Sequence, residues 1–281
     1  MGFAGLRVLS LESRRAAEIE VLIRKQGGEP FVAPSVKECG LDDHSDAFRL
    51  LESLERDALD MLILMTGVGL TLWKDVIAAS YSTERADTAL RRVKLLARGP
   101  KPSSALRASG ISPDITIPEP NTWREIVQIL AERPERRLGV QEYGRPNQDF
   151  VQALAGLGAE VETYALYRWE LPDNLDPLKE AVQKLANRDT DVILFTSSIQ
   201  LEHLFRVAGA VGMTDQIRDI LRAQVVIASI GPVMNEALAG HGLAPDITPA
   251  SPKMGALVYA AAEASSAVLD RKRRGESPTA R

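Results

Sequence analysis

Leu62–Thr66 reads LILMT, and Val192–Thr196, 130 residues further on, reads VILFT. Other landmarks recur at nearly the same spacing. Gly99-Pro100 returns as Gly231-Pro232, Ala105-Leu106 and Gly110 as Ala237-Leu238 and Gly242, and Pro113-Asp114-Ile115-Thr116 as Pro245-Asp246-Ile247-Thr248. Val8 matches Val140, and a helical pattern stopped by Gly27 matches one stopped by Gly158. Landmarks in one order at one offset are the mark of an internal repeat. The repeated unit contains short runs that are apolar throughout, a pattern of strands buried on both faces of a parallel sheet. Two similar α/β lobes follow, each a parallel sheet flanked by helices. A cleft between them is the expected ligand site.

The rest of the chain fits this alternation. Leu6–Leu11, Met61–Met65, Arg92–Ala97, Leu138–Glu142, Val192–Phe195 and Val225–Ile230 read as strands, and Pro30–Pro34 as extended. Ala16, Ile19, Leu22 and Ile23 share one helical face ahead of Gly27-Gly28. Phe48, Leu51, Leu54 and Ala58 line a second helix, and Leu175, Leu178, Val182 and Leu185 a third.

Composition narrows the function classes. The 281 residues are 45% hydrophobic and 26% charged, which excludes a disordered or collagen-like chain. Cys39 is the only cysteine, so an intramolecular disulfide and a multi-cysteine metal site are excluded. With 34 basic and 38 acidic residues the net charge is −4, which argues against a broad nucleic-acid surface. The longest apolar runs fall far short of a membrane span. The first residues, MGFAGLRVLSLESRR, lack the basic and apolar regions of a signal peptide, so a reduced, cytoplasmic setting is expected. Residues 271–281, RKRRGESPTAR, read as a flexible basic tail: a solvated end, or an arm for an anionic partner.

Four turns follow apolar strands and open helices: Thr66-Gly67-Val68-Gly69, Arg98-Gly99-Pro100, Thr196-Ser197-Ser198 and Ser229-Ile230-Gly231-Pro232. The first N–H groups of a helix lack partners and favour anions; one such turn alone is better explained as a helix cap, but four at equivalent places in two lobes point to a carboxylate- or phosphate-binding cleft. No GxxxxGK[ST], complete GxGxxG, HExxH or GxSxG is present. His44, His203 and His241 lack metal-ligand spacing, and no metal site is expected. Asp114 and Asp246 read as turn residues at strand entries. Tyr143, Tyr164 and Tyr167 can hydrogen-bond an anion or pack, and Arg168 can be an anion ligand or a surface charge.

Taken together, the duplicated strand ending in Phe195-Thr196-Ser197-Ser198, the Ile230-Gly231-Pro232 helix start, the turn Gly242-Leu243-Ala244-Pro245-Asp246 and the helix opening Ser251–Leu257 (SPKMGAL) resemble the uroporphyrinogen-III synthase family. Ala165–Arg168 resembles that family's strand leaving the second lobe. The likeness runs from about Leu6 to Ala262. It implies one lobe built from residues 1–36 and 170–270, and a second, residues 37–169, inserted into it through two extended strands. It also implies a cofactor-independent hydro-lyase that closes hydroxymethylbilane, an anionic linear tetrapyrrole, to uroporphyrinogen III with loss of water and inversion of ring D.

By the same resemblance Tyr167 assists departure of the ring-A hydroxyl. Thr66, Gly67, Val68, Arg98, Gly99, Arg168, Thr196, Ser197, Ser198, Gly231, Pro232 and Lys253 are the candidate substrate contacts. Lys253 stands where the family often has threonine. No cofactor, nucleic acid or membrane is expected as a partner, and a monomer is expected. The alternative is a two-lobe sensor that binds a tetrapyrrole or small anion without turnover.

Overall fold

Every residue of the two apolar stretches at the heart of the repeat, Met61–Leu64 and Val192–Phe195, is buried in the computed structural model, which describes residues 2–144 and 146–275. Strands covered on both faces need helices on both sides, and the chain alternates accordingly. It runs β1 (Arg7–Ser10), α1 (Ala16–Lys25), β2 (Glu29–Val32), β3 (Lys37–Cys39), α2 (Ser45–Glu55), β4 (Met61–Leu64), α3 (Gly67–Ser80), α4 (Thr83–Leu90), β5 (Lys94–Ala97) and α5 (Pro100–Arg107). It continues through β6 (Ile115–Thr116), α6 (Trp123–Ala131), β7 (Arg137–Gln141), α7 (Gln148–Gly156), β8 (Glu160–Tyr164), β9 (Arg168–Glu170) and α8 (Asp176–Ala186). The last elements are β10 (Val192–Phe195), α9 (Ser198–Ala210), α10 (Thr214–Ala223), β11 (Val226–Ser229), α11 (Pro232–Gly240) and α12 (Met254–Arg273).

Two units emerge. The split unit is Met1–Lys37 with Glu170–Arg281, and the inserted unit is Glu38–Trp169. The strands that carry the chain from one to the other, β3 and β9, form a two-stranded sheet of their own. The split unit's parallel sheet has the order β11-β10-β1-β2, extended beyond β11 by a parallel bridge from Ile247 to Ala228. The inserted unit's sheet has the order β6-β5-β4-β7-β8, also parallel. The spatial orders are the same and the chain orders are not. β7 and β8 follow β4–β6 in one unit, whereas their counterparts β1 and β2 precede β10 and β11 in the other. One unit is thus a circular permutation of the other, and the repeat boundary falls in mid-unit.

Side chains alternate across each sheet. In the split unit Leu9, Ile193, Phe195 and Ile227 pack with α8–α11, while Val8, Val192, Leu194 and Val226 pack with α1 and α12. In the inserted unit Leu62, Leu64 and Leu95 face α2–α5, and Met61, Ile63, Leu96 and Val140 face α6 and α7. At the amino ends of the strands the two units use the same ionic clasp. Arg7 binds Asp191 through Nε and Nη2, both at 2.9 Å, and Arg137 binds Asp60 at 3.0 and 2.6 Å. Asp114 and Asp246 are strand-entry residues, accepting from Leu95 N (2.7 Å) and Ile227 N (2.8 Å).

The expected basic tail at 271–281 needs correction. Arg271, Lys272 and Arg273 form the last turn of α12. Lys272, nearly buried, reaches Asp246 and the carbonyls of Leu221 (3.1 Å) and Val225 (2.7 Å), and Arg273 pairs with Asp191 at 2.7 Å. Carboxylates far away in sequence draw these cations back onto the sheet. The remainder of that stretch, residues 276–281, lies outside the described residues.

Candidate active site

In open parallel sheets, ligands lie beyond the carboxyl ends of the strands, where the winding reverses. In the inserted unit the reversal lies between β4 and β7. Thr66 follows β4, and its hydroxyl caps α3 by accepting from Gly69 N at 3.1 Å. The buried Gln141 at the end of β7 crosses to it. Thr66 N donates to Gln141 Oε1 at 2.9 Å, and Gln141 Nε2 donates back to Thr66 Oγ1 at 3.2 Å. The two glycines of this turn have steric causes. A Cβ on Gly69 would lie 2.1 Å from Gln141 Nε2, and one on Gly67 would lie 2.8 Å from the Lys101 carbonyl oxygen. After these contacts the N–H groups of Gly67 and Val68 open α3 with no acceptor inside the helix.

Arg98 and Gly99 follow β5, with Pro100 as the first residue of α5. A Cβ on Gly99 would fall 2.7 Å from the Asn121 side chain. The half-buried Arg98 guanidinium lies over the Tyr143 ring, 4.6 Å from its centroid, and has no carboxylate partner among the described residues. Tyr143 leads to Trp169, with ring centroids 5.7 Å apart and indole Nε1 donating to Tyr143 O at 3.0 Å. Trp169 in turn meets Tyr167 edge-on at 5.4 Å. Tyr167 is buried, between β8 and β9. Exposed Arg168 sits 3.6 Å from Asp42, itself almost wholly exposed, a pairing of little energetic weight. Tyr164 packs and pairs: burial, with its hydrogen bond to Glu162, pushes its hydroxyl up to about 12.

In the split unit the reversal lies between β1 and β10. Thr196 follows β10. Its N–H donates to Gln200 Oε1 at 2.8 Å, Gln200 Nε2 donates to its hydroxyl at 2.8 Å, and that hydroxyl donates to Glu12 beyond β1. Ser197 and Ser198 then open α9. Behind them the buried His203 ring bonds the Ser35 carbonyl. Burial holds the imidazole below its ordinary range, against the pull of that carbonyl, with Arg206 adding to the depression and Glu202 opposing it. Gly231 and Pro232 open α11, where Ser229 Oγ accepts from Gly231 N at 3.4 Å. Exposed Lys253 stands at the start of α12, next to Pro252, whose Cβ lies 3.5 Å from where a Cβ on Gly231 would be. Lys253 has no carboxylate partner among the described residues.

The expected residues therefore gather in two sets, each at the carboxyl edge of its own sheet. One holds Thr66, Gly67, Val68, Arg98 and Gly99; the other holds Thr196, Ser197, Ser198, Gly231, Pro232 and Lys253. Tyr167 and Arg168 stand at the exit of the inserted unit. Sequence reasoning missed Glu12, Gln141 and Gln200. Glu12 lies just past a strand end and carried a positional signal, whereas Gln141 and Gln200 have no counterpart in the repeat to mark them. Among the described residues no cluster of three or more His, Cys, Asp or Glu could hold a metal ion, and no helix is long and apolar enough to cross a membrane.

Comparison with known proteins gives a consistent answer. The family model for uroporphyrinogen-III synthase HemD matches residues 17–259. The uncharacterized protein YjjA of Bacillus subtilis (strain 168) is 28% identical over 259 residues, covering 92% of this chain and 95% of the relative. A crystal structure of mutant uroporphyrinogen III synthase from the extremely thermophilic bacterium Thermus thermophilus superposes with a TM-score of 0.71 at 22% identity, covering 97% of this chain and all of that one. Uroporphyrinogen-III synthetase from Helicobacter pylori 26695 gives a TM-score of 0.54 at 11% identity, covering 90% of this chain and 97% of that one. At these identities the structures speak for the fold.

Proposed function

This chain belongs to the uroporphyrinogen-III synthase family, and from that premise we propose that it closes hydroxymethylbilane to uroporphyrinogen III, with loss of water and inversion of ring D. The observation that carries the reading is the doubled edge: both sheets end in a threonine turn that opens a helix, and a neighbouring turn at the same edge brings a cation without a carboxylate partner among the described residues, Arg98 before Gly99 in one unit and Lys253 near Gly231 in the other. A substrate with eight carboxylates needs many separated donors. A protein of net charge −4 supplies them as helix-start N–H groups and a few placed cations rather than as a basic patch.

In this reading the N–H groups that follow Thr66 and Thr196, at Gly67-Val68 and Ser197-Ser198, hold substrate carboxylates together with Arg98-Gly99, Gly231-Pro232, Arg168 and Lys253. The reaction begins when the hydroxyl on the ring-A methylene leaves. Electron push from the pyrrole nitrogen breaks the C–O bond, and a proton must reach the departing oxygen. Tyr167 is the candidate donor, because a phenol with a pKa near ~10 stays protonated at neutral pH. The ring-A azafulvenium carbon then bonds the substituted α-carbon of ring D to give a spirocyclic pyrrolenine. The bond from that carbon to the methylene of ring C breaks, and the freed methylene bonds the other α-carbon of ring D. Loss of the proton there restores the pyrrole, inverts the ring and balances the proton that left with water. No metal or cofactor takes part. A monomer in a cytoplasmic setting belongs to the same reading.

The test is to supply hydroxymethylbilane and separate the isomers after oxidation. Spontaneous closure gives type I, so type III above the uncatalysed background supports the reading. Type I alone, with tight tetrapyrrole binding, supports a sensor that binds without turnover.

A further inference from the structure

The two threonine turns are held by the same contact, reached in two different ways. At each, a buried glutamine amide takes the threonine N–H on its oxygen and gives a hydrogen bond to the threonine hydroxyl from its nitrogen. The repeat does not account for this. Gln141 comes from the neighbouring strand β7, and the residue in its register position in the split unit is Ser10. Gln200 comes from the first turn of α9, and 130 residues earlier the chain has Leu70. Room for the first amide is made by Gly69, where a Cβ would lie 2.1 Å from Gln141 Nε2. Two unrelated placements converge on one arrangement.

The arrangement also divides labour. Each amide occupies the threonine N–H and engages its hydroxyl, so the threonine is committed to the protein. The N–H groups that follow it, at Gly67-Val68 and Ser197-Ser198, stay directed by the turn. We propose that Gln141 and Gln200 are positioning residues: they fix the angle at which the two turns present those N–H groups to substrate carboxylates. The proposal rests on the synthase reading.

Gly69→Ala is the sharpest test. The three atoms nearest the new methyl all belong to the amide end of the Gln141 side chain, so the substitution is expected to displace that amide first, and the thermal melt checks that the fold is kept. It is compared in the full chain with wild type, Gln141→Glu and Gln200→Leu, by type III initial rates, amide hydrogen exchange and thermal melts. In Gly69→Ala, exchange at Thr66 N–H is expected to speed up at least about tenfold. KM is expected to rise roughly tenfold, the scale of one hydrogen bond to a charged group, with kcat changed less than about twofold. Gln200→Leu is expected to do the same at Thr196. Gln141→Glu keeps an acceptor for Thr66 N–H, so exchange stays slow, while its charge repels substrate and KM still rises. Unchanged KM beside faster exchange overturns the proposal, as does unchanged exchange at Thr66 in Gly69→Ala. Loss of kcat and melting temperature at constant KM marks a purely structural role and also overturns it. A wild type that makes no type III isomer overturns the synthase reading and this proposal with it, whereas an active wild type with indifferent variants overturns this proposal alone.

Discussion

Tyr167 carries the heaviest chemical assignment and is also a packed ring, edge-on to Trp169. The two roles separate by substitution. Tyr167→Phe keeps the ring and loses the donor, so type III turnover is expected to fall about 10–100-fold, at or below the low end of general acid assistance because the pyrrole nitrogen drives much of the ionisation, with the melt unchanged within a degree or two. Tyr167→Ala is expected to lose a comparable rate and also several degrees of stability. A fully active Phe variant beside a destabilised Ala variant would remove Tyr167 from the chemistry. At this scale the sequence was readable where the repeat speaks: Thr66 and Thr196 stand out because the same strand ends on them twice. Gln141 and Gln200 were not readable. Their importance lies in contacts to threonines 75 residues and 4 residues away, from elements that do not correspond in the repeat. Gly67 and Gly69 were legible as a turn. Their cause, the approach of Lys101 and of Gln141, needed the third dimension.

Among the elements, the strands buried on both faces were the most legible, and Val192–Phe195 falls where its apolar run predicts. The end of α12 was the least legible, because a run of like charges reads as solvated unless its partners are known. Lys272 is tied to Asp246 in a nearly buried pair. Lys272→Met keeps the stem and strands the carboxylate, and is expected to cost about 3 kcal/mol, measured by urea unfolding. Adding Asp246→Asn is expected to recover part of the loss. The clasps on β1 and β7 contribute to the acid limit, as does Glu135, which Arg133 and Lys94 also hold at about 2. At Asp60 the Arg137 hydrogen bonds, joined by the backbone N–H groups of Arg137 and Arg136, hold the carboxyl at about 2. At Asp191 burial works the other way, but the hydrogen bonds and charge of Arg7, helped by Arg273, outweigh it and also hold it at about 2. Both native values lie below the unfolded value near ~3.9. Their stabilisation is therefore complete above about pH 4 and is lost as the pH falls towards 2. Thermal melts from pH 5 to 2 are expected to drop across that window, and less steeply in Asp191→Asn, which starts lower.

On the scale of the whole molecule, the repeat was plain in the sequence, but its phase was not: an offset of 130 residues says that two halves are alike, not where either unit begins. The family resemblance, not the repeat, implies residues 37–169 as an inserted lobe; in the structure the inserted unit is continuous over Glu38–Trp169 and the strand orders make the split unit its permuted counterpart. The inserted unit has its own sheet and helices on both faces, so residues 38–169 expressed alone are expected to melt cooperatively by circular dichroism, whereas residues 1–36 alone are expected to show no transition. The same connectivity imposes a schedule on the ribosome. When Trp169 has emerged, the inserted unit holds everything it needs, yet β1 and β2 still lack the neighbouring strand β10 and the helix α12 that close their sheet. At ~5–20 residues per second, the roughly 100 residues from Glu170 to the end of α12 take about 5–20 s to make. For that interval the nascent chain is a finished unit carrying an unfinished apolar edge, so the exposure of its core to aggregation is greatest during synthesis rather than after it.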